Sequence, residues 1–238
     1  MPGGGFLCYK AACRCSTTTM VLADDQTAGR GRHNRPWMTF GTPHSLMCTW
    51  VFRPQVGPHF PLIVALALHD ALASILTHHA TRTTQHALAI KWPNDTLLDG
   101  KKLAGILCQN VGTATGQGAS IVGIGLNISA PASVPSGFMG TFLPPQTPQI
   151  TPKSLAQSIN TCLQPLVALY ETQGWTQTLH NSYVQRCTTI GKHVHWVRAE
   201  NEELTGLVRG LTPNGHLELV AEDGTTHVIH SGEIFDKR

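Results

Sequence analysis

Twenty consecutive residues at positions 60–79, FPLIVALALHDALASILTHH, carry apolar side chains on almost every face of a helical wheel. A helix that is apolar all round has to be covered on several sides, so the fold must supply a sheet or further helices to pack against it. Pro61 falls where the first turn of a helix tolerates proline. The segments around it are short and of strand character. TMVLA at 19–23, SLMCTWVF at 45–52, LAIKW at 88–92, TLLDGKKLAGILCQN at 96–110 and IVGIGLNI at 121–128 each predict a strand or hairpin. The Asp99-Gly100 pair marks the hairpin turn.

Residues 129–152 are proline-rich and predict an irregular loop. Lys153 to Gly174 returns to helical spacing through Leu155, Ile159, Leu163, Leu166, Val167 and Tyr170, with a kink expected at Pro165. After Cys187 the texture changes to short strands and tight turns, HVHWVR, LTGLVRG, HLELVA and THVIHSGEIF, which predict a small β-barrel. The expected class is therefore α/β (α+β), with a mixed sheet flanked by helices in residues 1–187 and a β-barrel in 188–238.

The 238 residues are 41% apolar and only 13% charged, against an average near ~25%, which suits a turn-rich enzyme better than a helical bundle. A net charge of +3 is too small to argue for nucleic-acid binding, and none is expected. No apolar run is read as reaching the ~20 residues of a membrane helix, so no membrane association is expected. Seven cysteines without zinc-like spacing are read as reduced thiols, and the compartment as cytoplasmic. Residues 1–23, with Lys10, Arg14 and no acidic residue, bear a faint likeness to a transit peptide, which keeps a mitochondrial location open. Residues 1–18 are read as a disordered or truncated start.

Two segments carry the chemistry. DDQTAGRGRHNRPW at 24–37 sets Arg30, Arg32 and Arg35 among Gly29, Gly31 and Asn34, and closes on Trp37. Glycines let backbone amides approach a ligand, and forked guanidinium donors match phosphate or carboxylate oxygens. Neither a GxxxxGK[ST] loop nor a strand-linked GxGxxG occurs, so a nucleotide would be held some other way. In the second segment Lys91-Trp92-Pro93-Asn94-Asp95 ends a strand at a turn, and the following hairpin brings Lys102, Ala104 and Gly105 alongside. A lysine beside closely approached backbone suits neutralising an anion. From residue types alone these are an anion-binding loop and a lysine-bearing hairpin.

The first segment resembles the adenylate-binding loop of biotin protein ligases, with its GRGRxGRxW pattern, and the second resembles their KWPNDxxxxxxKxxGI signature. GIGLNI at 123–128 resembles a further strand of the family, and HSGEIFDK its closing strand. The resemblance implies a catalytic domain akin to class II aminoacyl-tRNA synthetases and an SH3-like C-terminal barrel. It implies ATP-dependent formation of biotinyl-adenylate, then transfer of biotin to a lysine of a biotin carboxyl carrier domain of acetyl-CoA carboxylase type. ATP, biotin and Mg2+ are the implied cofactors, and the protein is expected to be a monomer or homodimer.

By the same resemblance Lys102 would stand between biotin carboxylate and α-phosphate, Arg30, Arg32 and Arg35 would hold phosphates, and Asp95 would orient or deprotonate the acceptor amine. Lys102, Arg32 and Asp95 are thus the expected catalytic residues. Gln26, Gly29, Arg30, Lys102 and Gly105 would line the biotin site. Ser16 and Thr17 are assigned to it as well, where the family has a Ser-Thr-Asn motif. Trp37, Asn94 and Asn127 would contact the nucleotide, with Asn94 also a candidate for a metal shell. No metal ligand is certain. A lipoate ligase or octanoyl transferase of the same superfamily, or a binding protein that keeps biotin or its adenylate without turnover, are the alternatives.

Overall fold

The fold comes from a computed structural model that describes residues 7–12, 17–53, 55–79, 86–112, 118–145, 150–198 and 202–237. Seven strands form one sheet: β1 (Leu7–Ala12), β2 (Thr17–Ala23), β3 (Ser45–Arg53), β4 (Leu88–Lys91), β5 (Asp95–Leu98), β6 (Lys101–Val111) and β7 (Ala119–Asn127). Their order is β1-β2-β3-β7-β6-β5-β4. Every pairing of named strands is antiparallel, and parallel pairing is confined to the isolated bridges Ile90–Cys187 and Lys102–Gly140. In place of the expected disordered or truncated start, Leu7–Ala12 adds an edge strand to β2.

Alternation decides which face is covered. Leu46, Cys48, Trp50 and Phe52 of β3 are buried together with Val122, Ile124 and Leu126 of β7, at period 2. Against that face lie α1 (Phe60–His79) and α2 (Pro152–Gln173). The run Ile63–Leu68 of α1 is almost wholly buried. By length and composition Phe60–Thr77 would suffice to cross a membrane, contrary to the reading of the sequence; here the span is packed between the sheet and α2. In α2, Leu155, Ile159, Leu163 and Val167 repeat every four residues and are fully buried. Thr151 and Ser154 form a reciprocal capping box at its start, a feature worth about 1 kcal/mol. The helix runs through Pro165 without interruption.

A third helix, α3 (Gln177–Arg186), follows after Gly174 and was not expected. It is polar apart from Leu179 and Tyr183, which are buried, and Val184, which is partly buried, and Thr176 caps it. Five antiparallel strands make the second sheet: β8 (His193–Arg198), β9 (Glu202–Leu211), β10 (Leu217–Ala221), β11 (Thr226–Ile229) and β12 (Glu233–Asp236), in the order β11-β10-β9-β8-β12. The two sheets meet at the Trp92 turn. Trp92 donates from its backbone to Thr189 Oγ1 at 3.0 Å and from Nε1 to the Gly215 carbonyl at 3.1 Å.

Candidate active site

The hairpin between β5 and β6 sets Lys102. Asp99 and Gly100 both take positive φ, 51° and 77°, as the tightest hairpin turns require. The turn places Lys102 Nζ 2.7 Å from Asp95 Oδ1, with both side chains partly exposed. The ammonium also lies 5.3 Å from the centre of the Trp37 ring. A cation held by one carboxylate and one aromatic face, and partly exposed, remains reachable by an incoming anion.

Trp37 rests on bare backbone. Gly105 of β6 and Gly125 of β7 are cross-strand partners. A Cβ at Gly105 would stand 3.3 Å from the Trp37 ring and 3.4 Å from Lys102 Nζ, and one at Gly125 would run into the indole nitrogen. Only glycine lets the indole come this close to the sheet. At the other end of the loop the Trp37 backbone amide bonds to the Gly29 carbonyl at 2.9 Å, and a Cβ on Gly29 would meet the Trp37 carbonyl and the Gln26 side chain. The basic loop is therefore a closed flap whose two ends are tied together, with Arg30 and Pro36 bridged across it. At its tip His33 and Asn34 adopt left-handed backbone, φ 52° and 59°. Asn34 is among the residues best able to do so without glycine.

Arg32 locks the flap. Its Nη1 donates to Asn94 Oδ1 at 3.1 Å and its Nη2 to the Gly232 carbonyl at 2.9 Å. Asn94 in turn donates to the Ile106 carbonyl at 2.9 Å, which fixes its amide. Burial lowers the Arg32 pKa, and the Glu233 and Asp95 carboxylates pull it back up; the guanidinium stays charged. Arg35 forms an ion pair with Glu233 and lies over Phe235. Arg35 was expected on a phosphate; here β12 holds it. Arg30 is exposed.

Asn127 is buried, donates to the Thr141 carbonyl at 3.1 Å, and has an Oδ1 without a hydrogen-bond partner among the described residues. Thr141 also donates to the Lys102 carbonyl at 2.9 Å, so the proline-rich loop is strapped between Lys102 and Asn127. Phe138 and Phe142 of that loop pack with Phe40 at centroid distances of 5.4 and 5.5 Å.

The structure thus brings together Lys102, Asp95, Arg32, Asn94, Trp37, Gly105, Gly29 and Gln26, with Asn127 beside them. It does not bring Thr17 there. Thr17 pairs with Arg53 at the far end of β2, six residues from Ala23, or about 20 Å along the strand. Ser16 lies outside the described residues. Gly125, Glu233, Phe40 and the Phe138–Phe142 strap were missed. Of these only Gly125 had a signal: glycines two apart in GIGLNI leave one strand face bare, which marks close approach.

Comparisons with known proteins give the family and the fold. Residues 14–127 match the Biotin/lipoate A/B protein ligase family, and residues 189–235 match the Biotin protein ligase C terminal domain. A biotin--[acetyl-CoA-carboxylase] ligase of Paracoccus denitrificans is 32% identical over 95% of this chain and 93% of its own. The corresponding ligase of Mycobacterium tuberculosis is 28% identical over 92% of this chain and 79% of its own. Among solved structures, a biotin protein ligase from Aquifex aeolicus in complex with biotin and ATP superposes with a TM-score of 0.74 at 23% identity, covering 92% of this chain and 88% of that one. A Leishmania major ligase in complex with biotinyl-5-AMP gives 0.57 at 26% identity, over 89% and 88%. The chain belongs to the biotin/lipoate protein ligase family, on the biotin protein ligase branch that carries the family's C-terminal domain.

Proposed function

We propose that this chain is a biotin protein ligase, which activates biotin with ATP and passes it to a lysine of a biotin carboxyl carrier domain. The observation that carries the reading is Lys102, held at the mouth of the Trp37–Gly105–Gly125 stack by Asp95 while Arg32 clamps the basic flap above it. Two anions must meet in the first step, and a fixed ammonium lowers the repulsion between them. The biotin carboxylate oxygen forms a bond to the α-phosphorus, and pyrophosphate leaves with the electron pair of the broken P–O bond. The flap then keeps water from the mixed anhydride. In the second step the acceptor amine attacks the biotinyl carbonyl and AMP departs. Asp95, 21% exposed at its side chain and already facing the reaction centre, orients that amine and takes up its proton.

An Mg2+ held by the protein alone is not supported by the donor set. The Asn94 oxygen that would serve it accepts from Arg32, and among the described residues no three His, Cys, Asp or Glu side chains converge. Mg2+ enters with ATP, on the phosphates. The client is a carrier domain of a biotin-dependent carboxylase; acetyl-CoA carboxylase is the favoured one, supported by the names of the relatives.

Incubating the protein with labelled biotin, ATP and a carrier domain tests this. Pyrophosphate release that depends on biotin, and label appearing on the carrier only when it is present, are expected. Lipoate or octanoate replacing biotin would move the assignment to a neighbouring branch, and no release with biotin would reduce the protein to a binder.

A further inference from the structure

Two histidines stand side by side where the barrel meets the start of α1, outside the site described above. Leu217 of β10 faces Ile229 of β11, and both are buried in the barrel core. One step further along the same antiparallel pair come His216 and His230, whose side chains therefore leave on the opposite face. Opposed residues of such a pair have Cβ atoms about 4.5–5.5 Å apart, close enough for two imidazoles to share one ligand. His216 Nε2 lies 3.3 Å from His230 Nδ1. The turn that carries His216 is closed by the Thr212 amide on the His216 carbonyl at 2.8 Å, the His216 amide on Thr212 Oγ1 at 3.2 Å and the Gly215 amide on the Thr212 carbonyl at 2.8 Å. His230 is exposed, which lets its ring turn. Both imidazoles open on a cavity of about 400 Å³ whose wall also includes Leu62, Pro93 and Asn214.

We propose that His216 and His230 chelate one divalent transition-metal ion, Zn2+, Ni2+ or Cu2+, with water in the remaining positions. Metal–nitrogen bonds of about 2.05 Å at a tetrahedral angle set two ligand nitrogens ~3.3 Å apart, which is the spacing of this pair. Imidazole suits these ions, whereas Mg2+ prefers oxygen and has no place here. Two rings this close do not readily carry a proton each, because like charges disfavour the second, so a lone pair stays open to a metal. The histidine–carboxylate pairs among the described residues are at His69, His86 and His195, none of them in this cavity. His59, the third imidazole of the cavity, is already committed: its Nδ1 lies 3.2 Å from the Tyr170 hydroxyl, and the ring bonds to the Asn214 backbone. Two protein ligands make an exchangeable ion rather than a resident one. The ion would tie the turn whose Gly215 carbonyl holds Trp92 to a residue two places before Gly232, whose carbonyl holds Arg32.

Equilibrium dialysis of the untagged full chain against Ni2+ or Zn2+ tests this. The tightest site should take one ion per chain. His216→Gln and His230→Gln should each weaken it by at least the roughly 10–100-fold that losing an outer-shell partner costs a metal site. His227→Gln, in the neighbouring strand, should leave it unchanged, and Mg2+ should not compete. With Cu2+ as the probe, the electron paramagnetic resonance spectrum of the wild-type chain should show splitting from two imidazole nitrogens, a signature that a purely structural pair would not give. Without added metal, both glutamine variants should keep the far-UV circular dichroism and the adenylate formation of wild type, since neither imidazole belongs to the Lys102–Arg32 site. A wild-type chain that takes up no ion at concentrations up to about 100 μM, a tightest site that survives both substitutions, or a copper spectrum with fewer than two imidazole nitrogens overturns the assignment.

Discussion

Gly105 and Gly125 face each other across β6 and β7, and the indole of Trp37 lies on both. The pair sets how deep the flap can close. Gly125→Ala puts a methyl group where the indole nitrogen lies, so Trp37 has to lift and take the flap with it. Adenylate formation in single turnover should fall by about tenfold to a hundredfold, since a displacement of ~1 Å in a positioning element suffices for that. Far-UV circular dichroism should be unchanged. An active Gly125→Ala protein would show that the stack is incidental.

The Lys102 side chain pairs with Asp95, lies near the Trp37 ring, and is partly open to solvent. Lys102→Ala should therefore cost little stability, within about 1 kcal/mol for an ion pair of this exposure. It should lower biotin-dependent pyrophosphate release by about 10²–10³-fold, as removal of a charge aimed at the reacting atoms does. Asp95→Asn should be milder in this first step and more severe in transfer of preformed adenylate to the carrier. Equal losses in both steps would mean that Asp95 acts only through Lys102.

Arg32 and Arg35 separate structural from peripheral arginines in the same loop. Arg32→Ala leaves Asn94 Oδ1 and the Gly232 carbonyl without their donor. That costs about 1–3 kcal/mol, or roughly 3–8 °C in melting temperature for a protein of this size. The Arg35 side chain is 60% exposed, and its loss should shift the midpoint by no more than about 3 °C. Thermal melts of the two variants check the order, and a reversed order would refute the clamp.

Acid should loosen the contact between α1 and α3. Burial pushes the Asp70 pKa up, but hydrogen bonds from His69 and Arg186 more than offset this and hold it below its ordinary 3.8. Arg186 Nη2 reaches Asp70 Oδ1 at 3.0 Å. A carboxylate with a depressed pKa adds stability above its unfolded value, and that stability is lost as pH falls through the folded one. Asp70→Asn should lower the melting temperature by about 1–3 °C at pH 7, the side chain being 41% exposed, and the difference should vanish well below pH 3.8. A gap that persists in acid would point to packing instead.

Local signals carried most of the fold. The Asp99-Gly100 pair announced its turn because only a few residue types accept two positive φ values in succession, and the all-apolar α1 announced a buried helix. The helix α3 was not legible, because only Leu179, Tyr183 and Val184 of its ten residues turn apolar side chains to the core and the rest are polar. β1 was hidden in a stretch read as unstructured. In the site, Lys102, Asp95 and Gly105 could be placed from one hairpin. Arg35 could not be assigned to Glu233, nor Arg32 to Gly232, because nothing in either segment reports a neighbour so distant along the chain.

That distance has a consequence for synthesis. Arg32 is anchored by a carbonyl 200 positions later, in a chain made from its N-terminus onward. The seven-stranded sheet can assemble with Arg32 already on Asn94 while the flap still lacks its second anchor at Gly232. A chain stalled before Gly232 would carry every residue of the Lys102 hairpin beneath a flap whose Arg32 lacks its Gly232 anchor.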